Sequence, residues 1–201
     1  MSLLPCGAYA LSLALQSNLA VELGLSDPQI AVLNLWSTVI FAFACVAGGW
    51  LSDRFGRHRL LALFVVLTVA PTLWLAWAMQ GAQWIMPIDV KAPGRPQPSA
   101  ALVATFWAAV ISFNAFQGLH YGVLSALFMD VTTPAVAATQ FTAYMAMGNL
   151  VITYTAWWQG LAIERWGYPV TLAMDAAFGL AVLFLLPMMK PARGARRPGA
   201  G

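Results

Sequence analysis

Charge is what this sequence has least of. Only 8% of its residues are Asp, Glu, Lys or Arg, against roughly 25% in a soluble globular domain. A chain so poor in charge cannot cover a water-facing surface, whereas a lipid-facing exterior needs no such cover. Cysteine is scarce as well. Cys6 and Cys45 both lie in apolar runs, which argues against a disulfide framework and for two small buried side chains. Catalytic signatures are missing: there is no nucleophile elbow, zinc-ligand spacing, phosphate loop or pair of catalytic carboxylates. Neither enzyme chemistry nor a metal or organic cofactor is therefore expected. A nucleic-acid partner is not expected either, because the net charge is only +3 and the basic residues sit in short loops and a tail. The start of the chain carries no charged n-region or cleavage site of a signal peptide, so its first apolar segment is expected to be retained.

What is present is apolar sequence, 61% of the chain, cut into membrane-length pieces. A spanning helix needs about 20 mainly apolar residues. Six segments meet that length, at about 3–23, 29–51, 60–79, 100–129, 137–163 and 168–189. The expectation is an all-α, polytopic membrane protein, with a six-helix bundle over 1–189 and a basic cytoplasmic tail over 190–201. Gly24-Leu25-Ser26-Asp27-Pro28 is the first turn; Asp27 can cap the second helix, and Pro28 suits its first turn. The stretch 80–99 holds Pro87, Pro93, Pro96 and Pro98. Proline at that density forbids a continuous helix, so this is an extramembrane loop. Glu164-Arg165-Trp166-Gly167 is the last turn. Trp84 and Trp166 fall near expected interfaces, where aromatic belts form, and Trp157-Trp158 are candidates for a cavity wall.

Orientation follows from the basic residues. One side receives Arg54, Arg57, Arg59, Lys190, Arg193, Arg196 and Arg197, and the other only Lys91, Arg95 and Arg165. This excess places both termini in the cytoplasm.

Polar side chains inside spans are costly in hydrocarbon and usually face the bundle interior or a cavity. Asn114, Gln117 and Tyr121 recur at i, i+3, i+7 and share one helical face, with His120 beside them. Gln140 and Tyr144 share a face of the next segment, which also carries Asn149. Gln16, Asn18 and Asn34 add polar groups to the first two spans. Together these are candidates for a hydrated substrate-binding cavity; the alternative is interhelical hydrogen bonds worth about 1 kcal/mol or less each. Asp175 lies well inside a span and is a candidate proton carrier, or else a hydrogen-bonded cap near the outer face. His120 is the second proton-coupling candidate, set against a satisfied core histidine.

The most specific local signal is Gly49-Trp50-Leu51-Ser52-Asp53-Arg54-Phe55-Gly56-Arg57-His58-Arg59. Gly49 allows close helix approach at the membrane edge, and Gly56 allows a tight turn with positive φ. Asp53 can sit at a helix N-terminus or pair with an arginine. This string resembles the signature loop of the major facilitator superfamily, in which Gly and Asp are followed by a basic residue, Gly and a basic run. It also lies where that family places it, after the second helix of a six-helix half. The resemblance implies a cytoplasmic gating latch formed by Gly49, Asp53, Arg54, Gly56, Arg57 and Arg59; the alternative is that the arginines only fix topology.

Met129-Asp130-Val131-Thr132-Thr133-Pro134, followed by Ala138-Thr139-Gln140-Phe141, is similar to the muropeptide permease and acetyl-coenzyme A transporter branch. In that branch such an element opens the fifth helix of the C-terminal half. With the short basic tail, this implies the C-terminal half of a transporter of the bacterial inner membrane. It would be a secondary transporter working by alternating access, proton-coupled, with a muropeptide-like small molecule as substrate. Its partners would be the lipid bilayer and a second six-helix half, either fused or a separate chain. The other reading is a six-helix membrane scaffold or assembly factor that reuses the fold.

Overall fold

The computed structural model describes residues 9–89, 94 and 96–184. Cys6, Lys91, Pro93, Arg95 and the basic tail lie outside the described residues. Among those described there is no strand, and five α-helices follow one another: α1 (Leu13–Glu22), α2 (Asp27–Phe55), α3 (Arg57–Gly81), α4 (Ala100–Val131) and α5 (Ala137–Ala181). A short 3-10 turn, Pro134–Val136, joins α4 to α5.

Four described stretches are long and apolar enough to cross a membrane: Asp27–Phe55, Arg57–Gly81, Ala100–Asp130 and Ala137–Phe184. Five helical elements, rather than the six expected from the sequence, are distinguished among the described residues. Two local causes account for the difference. The described helix of the first expected span, α1, has 10 residues, about 15 Å and half a hydrocarbon core. The fifth and sixth expected spans fall within the single element α5, 45 residues long.

That element is not straight. Gly167 has φ 79° and ψ 178°, a conformation essentially restricted to glycine. Pro169, just after it, suits the first turn of a new helix. Gln159 donates a hydrogen bond to Asp175 at 2.7 Å, across 16 residues. A straight helix would separate those positions by about 24 Å. The chain therefore doubles back at Gly167, and α5 is two antiparallel limbs. The turn is pinned from outside: Tyr168 N–H donates to the Ile85 carbonyl at 2.7 Å, in the loop after α3.

Sequence chemistry sets the other ends. Ser26, not Asp27, is the N-cap of α2; its backbone N–H and its hydroxyl both donate to Gln29 Oε1, at 2.9 and 3.0 Å. Gly56, at φ 91°, breaks the chain between α2 and α3. Ser99 Oγ accepts from Leu102 N–H at the start of α4.

Packing runs in a chain of neighbours, α2 on α4, α4 on α3 and α3 on α5. The main core joins Leu11, Leu15 and Leu19 to Leu75, Met79, Phe106, Val110, Phe113 and Leu172. A second cluster, around Leu61, Phe64, Val65, Val123 and Leu127, closes the other end of α3 and α4. Trp84, expected at an interface, is instead 4% exposed within the main core. Helix α2 is peripheral: only 11% of its apolar window is buried, against 50% for α3. It exposes Leu35, Trp36, Phe43, Val46 and Trp50.

Candidate functional site: a charged latch and a polar seam

The break at Gly56 places the first residue of α3, Arg57, beside the last turn of α4. Arg57 Nη2 donates to Asp53 Oδ1 at 2.9 Å, and Nη1 donates to the Ala126 carbonyl at 2.8 Å. Arg57 also forms an ion pair with Asp130. Of the two arrangements open to Asp53, the arginine pair is the one observed. One guanidinium thus joins three segments: the end of α2, the start of α3 and the end of α4. Its cation also lies where the α4 carbonyls leave negative charge. The Arg57 side chain is 26% exposed and the two carboxylates more than half exposed. Such water-facing pairs contribute about 0–1 kcal/mol, too little to matter for the fold. Arg54 stacks 4.6 Å above the Trp50 ring, and Arg59 points to solvent.

The glycines beneath the latch hold α2 against α4. A Cβ on Gly48 would lie 2.3 Å from the Leu119 carbonyl oxygen, one on Gly118 2.4 Å from that of Phe41, and one on Gly122 2.2 Å from that of Cys45. Only backbone fits there, the small-residue packing of membrane helices. Gly49 is the glycine expected from the sequence to allow this approach. In the structure a Cβ on Gly49 meets nothing within 4 Å, because its neighbour Gly48 faces α4.

At the opposite end, Glu22, Tyr168 and the loop 82–89 meet. Tyr168 OH donates to Glu22 Oε1 at 2.5 Å and Ile88 N–H donates to Glu22 Oε2 at 3.3 Å. The connections after α1, after α3 and within α5 therefore share one end, while those after α2 and α4 share the other. That is the alternation expected of a chain crossing back and forth. Sequence spacing does not reveal the Glu22–Tyr168 pair, because its partners are 146 residues apart.

Between the two ends runs a seam of polar groups. Gln16 Nε2 donates to Asn34 Oδ1 at 2.8 Å, tying α1 to α2. Asn18 is exposed. Asn114 is half-buried and donates to the Val110 carbonyl one turn back. Gln117 Oε1 is enclosed with no hydrogen-bond partner among the described residues. Tyr121 lies between two helices, its ring 5.7 Å from that of Phe41 on α2 and its hydroxyl 3.9 Å from Met145 Sδ on α5. Tyr144 packs 5.1 Å from Phe128.

Other candidates lie apart from the seam. Gln140 Oε1 accepts from Thr133 N–H at 2.7 Å, which closes the α4–α5 connection at the latch end. Asn149 is exposed. His120 is 1% exposed, inside the α4 packing. Asp175, 2% exposed, accepts three hydrogen bonds: Tyr9 N–H and Ala10 N–H reach Oδ2 at 2.7 and 2.8 Å, and Gln159 reaches Oδ1. Its carboxylate fastens the entry to α1 onto the second limb of α5. Among the described residues no group of His, Cys, Asp and Glu could hold a metal ion.

Apolar helices of spanning length, polar groups between them and an exposed ionic contact at one end define a polytopic helical membrane protein. The chain belongs to the Major Facilitator Superfamily, whose family model matches residues 1–201. Members of this family are integral membrane proteins that carry solutes across the bilayer, transporters rather than enzymes. Neither the curated proteins nor the solved structures hold a match to the chain.

Proposed function

We propose that this chain is one half of a secondary transporter that works by alternating access, with Arg57 as the catch of its cytoplasmic gate. The observation that carries this reading is the three-way hold of Arg57 on Asp53, Ala126 and Asp130. It joins three segments at one end through bonds that water can replace, so rocking of the halves can break and remake it at little cost. The second half supplies the other wall of the cavity and covers the exposed face of α2. Asn114, Gln117 and Tyr121 form this half's share of the binding surface, with Gln16–Asn34 and Tyr144 at its edges. The orientation follows the basic residues, with the latch end in the cytoplasm of a bacterial cell.

Muropeptide-like solutes are the proposed substrate class, on the strength of Ala138-Thr139-Gln140-Phe141 and the preceding Asp130-Val131-Thr132-Thr133-Pro134. A hydrogen-bonding seam without fixed charge suits an amphipathic, sugar- and peptide-bearing solute. Protons are the proposed coupling ion, with His120 and Asp175 as the ionisable groups enclosed in the spans.

Vesicles bearing the complete transporter, driven by an imposed proton gradient, test this reading. Uptake of a labelled muropeptide is expected, and Arg57→Gln should slow it at least severalfold while the protein still inserts and accumulates normally. A scaffold that reuses the fold would show no gradient-driven uptake in either form.

A further inference from the structure

The two limbs of α5 do not close on each other along their whole length. Between them lies a cavity of about 680 Å³, within the range of about 300–1,000 Å³ typical of ligand pockets. Its walls are almost wholly apolar: Tyr154, Trp158 and Leu161 on the first limb face Met174, Phe178 and Val182 on the second. Trp158 meets Phe178 edge-on across it, with ring centroids 5.5 Å apart, and Ala162 and Ala181 contribute little bulk to its walls.

One cation stands at this groove. Arg165 lines its mouth beside Trp166, next to the Gly167 turn. Its side chain is exposed, and no carboxylate among the described residues lies within ion-pair distance of it. Glu164 precedes it in sequence, but adjacent helix positions do not face each other. From Arg165 the groove descends to Tyr154, which is 11 residues, or about 16 Å, along the helix. One leaflet of a bilayer's hydrocarbon core is about 15 Å thick. Trp166, 50% exposed, is next to the Gly167 turn at the end of the first limb, and tryptophan is enriched at membrane–water interfaces. Cation, aromatic ring and apolar slot are therefore stacked in the order of a phospholipid's phosphate, glycerol and acyl chain.

We propose that this groove binds one anionic phospholipid from the leaflet on the side of the 82–89 loop, with its phosphate on Arg165 and one acyl chain between the limbs of α5. Charge complementarity selects the head group, and the depth of the slot selects a chain over a soluble anion. The site depends on the chain lying in a membrane, and is independent of what the protein transports.

The test is native mass spectrometry of the intact membrane protein, released from nanodiscs and titrated with phosphatidylglycerol, phosphatidylcholine or glycerol 3-phosphate. Wild type should retain one phosphatidylglycerol in preference to phosphatidylcholine and show no affinity for glycerol 3-phosphate. Arg165→Gln should weaken phosphatidylglycerol retention about fivefold, the worth of one basic residue at a membrane surface, while Arg165→Lys should keep most of it. Ala181→Trp, which fills the slot from an exposed position, should abolish retention of both lipids at this site. Equal retention of the two lipids by wild type, or unchanged retention in both Arg165→Gln and Ala181→Trp, would overturn the proposal. Tight binding of glycerol 3-phosphate alone would also overturn it, in favour of a soluble-anion site.

Discussion

Asp175 shows how far a single residue can be read from its type and place. A carboxylate well inside a span suggests a proton carrier, or else a hydrogen-bonded cap near the outer face. The structure surrounds it with Tyr9 N–H, Ala10 N–H and the Gln159 amide, all at 2.7–2.8 Å. Together these donors hold the carboxylate in place at the entry to α1. Asp175→Asn keeps the shape but sets an amide NH2 against one of those donors. Leaving a buried donor unsatisfied costs about 1–3 kcal/mol. The expected result is faster hydrogen exchange at Tyr9 and Ala10, with loss of stability. Unchanged exchange together with a lost pH dependence of uptake would identify Asp175 as the proton carrier instead. The sequence showed that Asp175 was buried and unusual. Its partners were illegible, because two are backbone groups 165 and 166 residues away.

At the scale of elements, two kinds of glycine do different work. Gly48, Gly118 and Gly122 make room for the neighbouring backbone, whereas Gly56 and Gly167 supply positive φ. Gly122→Ala would press a methyl group to within 2.2 Å of the Cys45 carbonyl. Overpacking of this kind costs about 1–3 kcal/mol, so thermal unfolding in detergent should begin several degrees lower. Gly49→Ala, with no neighbour within 4 Å, should leave the unfolding curve where it is or raise it slightly, since alanine favours helix by about 1 kcal/mol.

Gly167→Ala meets both penalties at once: a glycine-only backbone and the Ile85 carbonyl at 2.3 Å. It should cost about 3 kcal/mol or more and greatly lower the yield of folded protein. Normal yield and stability would show that the turn does not hold the two limbs. The positions of α2, α3 and α4 were legible because apolar length is a local property. Gly48's priority over Gly49 was not, because it depends on which side of α2 meets α4. The capping of α2 by Ser26 rather than Asp27 was missed for a smaller reason: both residues are good caps, and the reach of Gln29 decides between them.

For the whole molecule, the distribution of polarity supports transport. The latch is exposed at one end, Glu22–Tyr168 and the loop 82–89 are joined at the other, and the candidate binding residues lie between. Membrane class and family were readable from composition and from the Asp53–Arg59 motif. The cavity was only partly so: periodicity grouped Asn114, Gln117 and Tyr121, but could not show that Gln140 turns to the α4–α5 connection.

On the proposed mechanism this seam opens to each side of the membrane in turn under control of the Arg57 latch. Single cysteines at Asn114, Gln117 and Tyr121, in a complete transporter otherwise free of cysteine, test it with a membrane-impermeant thiol reagent applied from either side. Each should be labelled from both sides. Arg57→Gln should raise the rate from the latch side severalfold and lower it from the other, while cysteine at the buried Val123 stays inert. Labelling from one side only, at rates unmoved by Arg57→Gln, or labelling at Val123 in place of the seam, would rule this mechanism out.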